Sequence, residues 1–207
     1  MPEYARHPLH RRGLVTARRT MTALTIATVV GALASPLQAQ SAQRYSVQVA
    51  ALFTTISASG SSAAGAGVEP QFRVNRLYAT EAFGALSLGL GGQYTVHNKA
   101  EDRLQIKGVF LEPRWVPPIG LTHVFPYLSA RLALLQVHGD FQFAQGGTST
   151  GSGFGAGGGL AVALTRTTNL DAGVQLVRQQ FGKIGTVTFL PFTTYTAKIG
   201  LTVGFPQ

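Results

Sequence analysis

The 207-residue chain has no cysteine, and that absence excludes a disulfide framework, a thiol nucleophile, thiolate metal sites and an acylated N-terminal cysteine. Charge is scarce as well: Asp, Glu, Lys and Arg together make up 12% of residues, against about 25% in an ordinary water-soluble globule. Long apolar runs are missing. The longest, from Met21 to Ala34, falls short of the ~20 residues that a helix needs to cross a bilayer. Glycine and apolar residues are what remain in quantity, at 25 glycines and 45% hydrophobic residues.

The net charge of +9 divides unevenly along the chain. Residues 1–39 hold five arginines and one acid, Glu3, while the remainder holds twelve cations against seven acids. Those twelve are scattered singly, whereas a nucleic-acid binder clusters its cations on one face or along one helix. No nucleic-acid partner is expected. The N-terminal arginines precede the Met21–Ala34 run, and small residues lead to Ala39. Positive segment, short apolar segment and small-residue exit together describe a cleavable signal peptide over residues 1–39. The mature domain then covers residues 40–207. The Arg18-Arg19 pair is too common in such segments to specify a twin-arginine route.

Beyond Ala39 the residues alternate with a period of two, the repeat of a strand whose faces meet different surroundings. In 194–205, Tyr195, Ala197, Ile199, Leu201, Val203 and Phe205 lie on one face. Thr194, Thr196, Lys198, Gly200, Thr202 and Gly204 lie on the other. Residues 45–53 set Tyr45, Val47, Val49, Ala51 and Phe53 against Ser46, Gln48, Ala50 and Leu52. Residues 153–165 and 170–177 repeat the pattern, and rougher versions run near 67–74, 83–96, 108–116 and 126–137. Eight strands, an even number, suit a closed antiparallel barrel. Long connections are expected near 55–66, 139–152 and 179–192, with a shorter charged one at 97–103. Tight turns are expected near 75–80, 117–124 and 165–169. Long loops at one end and short turns at the other mark a membrane barrel.

The aromatics Tyr45, Phe53, Tyr94, Trp115, Tyr127, Phe154, Tyr195 and Phe205 are read as two girdles at the membrane borders. From Tyr195 to Phe205 the strand rises about 33 Å, or about 25 Å when tilted by roughly 40°. Charges within the span have to face inward, because a mid-bilayer Lys or Arg on the lipid face costs about 2–4 kcal/mol. By parity Glu69, Arg73, Arg131, Asp171 and Lys198 share the inner face. Glu112 and Arg114 join them if Val109, Leu111, Pro113 and Trp115 face lipid. The opposite register, with Leu104, Ile106 and Phe110 outward, would expose both charges to lipid, so the first is preferred. A salt-bridged plug of the lumen is the expectation.

The Pro-Tyr-initiated strand PYLSARLALL (126–135) and the segment GFGAGGGLAVALTRTTNLDAGVQL (153–176) resemble the small outer-membrane β-barrels. That group includes the OmpA and OmpX transmembrane domains and opacity-type surface proteins. The resemblance implies an all-β, eight-stranded, up-and-down transmembrane barrel in the outer membrane of a Gram-negative-type bacterium. It implies a monomer among outer-membrane lipids and lipopolysaccharide, delivered by the barrel-insertion machinery. Such chains usually end on an aromatic residue, whereas Pro206 and Gln207 follow Phe205 here, so somewhat less efficient insertion is expected. A structural or surface-interaction role is the leading reading, with a narrow passive channel as the alternative. A lipid-modifying hydrolase trails both. His97 and His138 lie toward the loop side, but no adjacent His-Ser pair supports a catalytic dyad. No cofactor or metal site is expected: the five histidines lack ligand spacing, and GAGGG at 155–159 lacks the lysine and helix of a phosphate cradle.

Overall fold

The computed structural model describes residues 43–205 except 59–60, 100–101, 120, 142–143, 185–186 and 189. The expected signal segment 1–39 lies outside the described residues. Eight long antiparallel strands close into a barrel in which each pairs with its neighbours in sequence. They are β1 (Tyr45–Ala58), β2 (Ser61–Thr80), β3 (Gly84–Lys99), β4 (Asp102–Val116), β5 (Val124–Phe141), β6 (Ala144–Ala163), β7 (Thr168–Phe181) and β10 (Phe192–Phe205). The short β8 (Lys183–Ile184) and β9 (Val187–Thr188) form a separate ribbon between β7 and β10. Closure is made by β1 against β10, from Tyr45 opposite Phe205 to Ser57 opposite Thr193.

Alternation of side chains follows from the two-residue repeat. Along β10 every second residue from Phe192 to Gly204 is buried, and every second one from Tyr195 to Phe205 is exposed. The outward positions carry large apolar side chains all round the wall: Val49, Leu90, Val109, Leu132, Phe154, Val174 and Leu201. An apolar belt on the outside and polar groups within invert the arrangement of a water-soluble globule. Lipid is the solvent that makes such a surface favourable.

One end of the barrel holds both ends of the described sheet and the connections 81–83, 117–123 and 164–167; the other holds the β1–β2, β3–β4 and β5–β6 hairpins and the β8–β9 ribbon. These are the terminal end and the hairpin end. The connections at the hairpin end differ from expectation. Most of 55–66 and 139–152 is strand: Thr55 pairs with Ala64, and His138 with Thr148. Glycine, serine and threonine on both strand faces look like loop in a sequence, yet here most of the described residues have a cross-strand partner, with one irregularity between Gly139 and Phe141. The strands overshoot the belt. The outward apolar residues of β5 end at Leu134, opposite Ser152, so residues 144–151 of β6 rise beyond the belt by roughly 20 Å at ~3.3 Å per residue and a tilt near 40°. At the terminal end the expected turn 75–80 is also strand; β2 passes through a bulge between Val74 and Tyr78, with Arg76 at φ 53°, and turns only at 81–83. Such bulges re-aim a strand without ending it.

Leu201 lies on the outer face near the middle of the belt. Leu201→Arg is expected to destabilise the folded barrel by about 2–4 kcal/mol, measured by denaturant unfolding in lipid vesicles. A loss below about 0.5 kcal/mol would show that this face does not meet lipid.

Candidate functional site in the barrel lumen

An eight-stranded barrel is just wide enough for its interior to be filled by side chains. The filling comes in two layers. Toward the terminal end lie Glu69 and Arg73 from β2, Glu112 and Arg114 from β4, Arg131 from β5, Asp171 from β7 and Lys198 from β10, all buried. Glu112 is the hub. Its Oε1 takes Arg73 Nη2 at 2.8 Å and Arg114 Nη2 at 3.4 Å, and its Oε2 takes Arg131 Nη2 at 2.7 Å and Lys198 Nζ at 3.1 Å. Gln175 adds an amide hydrogen bond to Oε2 at 3.4 Å. Glu69 faces Arg131 Nη1 at 2.7 Å and Lys198 Nζ at 3.4 Å. Asp171 holds Arg114 Nη1 at 2.6 Å. The register that turns Val109 and Leu111 to lipid is the one observed, with Ile106 and Phe110 inside.

Of the aromatics expected in girdles, Tyr45, Phe53, Tyr94, Phe154, Tyr195 and Phe205 are exposed on the outer wall. Trp115 is half-buried, and its Nε1 donates to the Phe83 carbonyl at 2.8 Å. Tyr127 is a correction. It faces the lumen, 3% exposed, where its hydroxyl donates to Asp171 Oδ1 at 2.7 Å and its ring lies 3.7 Å below the Arg114 guanidinium carbon. The reason is parity: Tyr127 stands four residues before Arg131 on one strand, so both point the same way. Glycines make room for it. A Cβ on Gly159 or on Gly173, which are cross-strand partners, would come within 2.6 Å of the Tyr127 hydroxyl.

Toward the hairpin end an apolar cluster joins the filling, among the buried polar side chains of Thr54, Thr95, His97, Gln179 and Thr194. Ile56, Ile106, Phe110, Ala133, Leu135, Val137, Phe181 and Phe192 form one buried cluster from β1, β4, β5, β7 and β10. Phe181 and Phe192 stack with centroids 5.6 Å apart. Phe110 joins the layers, since the Arg131 guanidinium carbon sits 3.7 Å from its ring. Sequence reasoning missed this layer. Phe181 and Phe192 fell within an expected loop, and apolar residues on an inner face break the simple polar-inside rule. The available signal was Ile106 and Phe110, which share parity with Glu112.

The two histidines part company. His97 is buried in the lumen, with Nε2 2.7 Å from Thr54 Oγ1. His138 lies on the outer wall between Thr148 Oγ1, 3.0 Å from its Nδ1, and Asp140 Oδ1, 3.3 Å from its Nε2. That order of groups matches a nucleophile–base–acid chain, but the His138 and Asp140 side chains are 41% and 58% exposed. Groups so solvated lack the water-excluded setting that strengthens catalytic electrostatics. Among the described residues, no group of three or more His, Asp or Glu could hold a metal ion.

The architecture is that of the small outer-membrane β-barrels: eight up-and-down strands, a lipid-facing apolar belt and a filled lumen. Neisserial surface protein A has a similar structure, at 24% identity and a TM-score of 0.59, covering 78% of this chain and 97% of that one. So does Ail, the attachment invasion locus protein of Yersinia pestis, at 11% identity and a TM-score of 0.53, covering 79% and 99%. No family model and no curated protein matches the sequence.

Removing Glu112 takes a carboxylate from four cations at once and leaves Arg73 with none, while Arg114 keeps Asp171 and Arg131 and Lys198 keep Glu69. Glu112→Ala is expected to cost about 3–5 kcal/mol, and more than Asp171→Ala, which deprives one arginine and one tyrosine. Denaturant unfolding of the folded barrel in detergent measures both. Equal, small losses would mean that the ionic layer adds little stability.

Proposed function

We propose that this chain is a non-enzymatic barrel of the bacterial outer membrane whose lumen is closed and whose hairpin end is a surface for interactions. The observation that carries closure is the double filling of the lumen, an ionic layer on Glu112 followed by an apolar layer on Phe110, Phe181 and Phe192. A passing solute would have to break several buried ion pairs and then displace the packed Phe110, Phe181 and Phe192 rings, and apolar constrictions gate by dewetting. The overshooting hairpins support the interaction role. Residues 144–151 on β6 and their partners on β5 carry Thr148, Thr150 and His138 outward beyond the belt, so they are available to external ligands whose chemistry the sequence does not name. In this reading the terminal end faces the periplasm and the hairpin end the exterior, the usual sense of such barrels.

The remaining expectations belong to the same proposal. Export depends on a signal peptide cleaved after Ala39, and the insertion machinery assembles the barrel as a monomer among phospholipid and lipopolysaccharide. Mass spectrometry of the protein extracted from membranes tests the cleavage site.

Closure is tested in planar bilayers. Wild-type protein is expected to show at most rare, small openings. Glu112→Ala and the double variant Phe181→Ser/Phe192→Ser are each expected to raise their frequency, the first by loosening the ionic layer and the second by wetting the apolar one. Steady wild-type conductance, unchanged in both variants, would replace this reading with a narrow passive channel. Folding of each variant is checked by the different gel mobility of unheated and heated samples, since a closed sheet resists unheated detergent.

A further inference from the structure

Beside the ionic layer, four uncharged polar side chains face the lumen from four adjacent strands. Gln71 on β2 pairs with Gln48 on β1, Gln48 with Thr202 on β10, and Thr202 with Asn169 on β7. They are 2%, 2%, 5% and 3% exposed. Directly opposed residues sit about 4.5–5.5 Å apart at Cβ, so the four form one continuous arc. Five of their polar atoms meet no hydrogen-bonding protein group among the described residues: Gln71 Nε2, Gln48 Nε2 and Oε1, Thr202 Oγ1 and Asn169 Oδ1. Buried polar atoms are nearly always paired, because the bond to water given up on burial has to be replaced. Leucine and valine would line the same wall without that cost. The arc is built to hold something polar.

Charge identifies the occupant's class. Among the described residues the buried charged side chains are four cations, Arg73, Arg114, Arg131 and Lys198, against three acids, Glu69, Glu112 and Asp171. The interior therefore carries one surplus positive charge. The arc touches this layer through Gln71, whose Oε1 accepts Arg73 Nη2 at 2.8 Å while its Nε2 stays unpaired. Gln48 is unpaired at both amide atoms, so it can turn either toward a ligand, and the Thr202 hydroxyl rotates freely. The Gln71 and Gln48 amide nitrogens and the Thr202 hydroxyl, beside a surplus cation, hydrogen-bond an anion without adding charge of their own, and Asn169, whose unpaired atom is Oδ1, joins them when its amide is turned to present Nδ2. A metal cation would meet repulsion, and a dianion would overshoot neutrality. Gln48 is the second inward side chain of β1 after Ser46, so the approach is from the terminal end.

We propose that the arc Gln71–Gln48–Thr202–Asn169 binds one small monovalent inorganic anion of the chloride class, which completes the neutralisation of the lumen. The test is a thermal titration of folded, membrane-extracted protein in neutral detergent, exchanging sodium gluconate for sodium chloride at constant ionic strength. The expected result is a saturable rise in midpoint of about 2–4 °C, the shift that a ligand at several times its dissociation constant gives a chain of this size. Gln71→Glu supplies the missing negative charge, and its midpoint is expected to be as high in gluconate as in chloride. The neutral pair Gln48→Leu/Thr202→Val is expected to lose the response while the overall charge is unchanged. Crystals grown in bromide are expected to show an anomalous peak within the arc. The proposal is overturned by a wild-type midpoint indifferent to chloride, by a chloride response that persists in Gln71→Glu, or by ordered water alone in the arc of bromide crystals. If either variant fails to fold, the wild-type titration and the bromide crystals still decide.

Discussion

The seam between β1 and β10 is the constraint on which everything else rests. Thirteen residue pairs, Tyr45–Phe205 to Ser57–Thr193, close the sheet on itself, and in a membrane an unclosed edge would leave a row of backbone groups with no partner. Closure at eight strands fixes the bore, and a bore that narrow has to be filled by side chains. The charges inside then follow. They are placed where lipid cannot reach them, and each has to find its counter-charge within the same small volume.

The filling is uneven along the axis. Glu112 draws arginines or lysine from β2, β4, β5 and β10, while Asp171 and Tyr127 extend the network along β5 and β7. Above it, Phe110, Phe181 and Phe192 make a cap with no charge at all. A lumen polar throughout could hydrate and leak, and one apolar throughout would leave the inner face indistinguishable from the outer. With both, the two faces of each strand stay distinct, which pins the register, because a slip of one residue would turn Glu112 and Lys198 to lipid.

Much of this was legible in the sequence, for reasons tied to particular residues. Lys198 stands amid Tyr195, Ile199 and Leu201, and a lone cation in such a run has only one tolerable direction. The same logic placed Glu69, Arg73, Glu112, Arg114, Arg131 and Asp171, which the structure brings together. Aromatic residues were less informative, since a tyrosine suits a membrane border and a buried hydrogen bond equally well. Tyr127 takes the second, and only its parity with Arg131 distinguished the two. Residues 139–152 read as a loop because Gly, Ser and Thr carry no facial contrast once a strand leaves the lipid. Backbone pairing there is set by the neighbouring strand, and composition does not record it.

The position of Glu112 also bears on assembly. Its partners reach it from strands that begin at residue 61 and end at residue 205, nearly the whole length of the sheet. Lys198 meets the carboxylate only when the last strand has docked, so a half-inserted sheet holds a carboxylate and its cations with their partners still missing. Charge neutralisation and completion of the ring thus become a single late event, and a sheet short of that event is electrostatically incomplete.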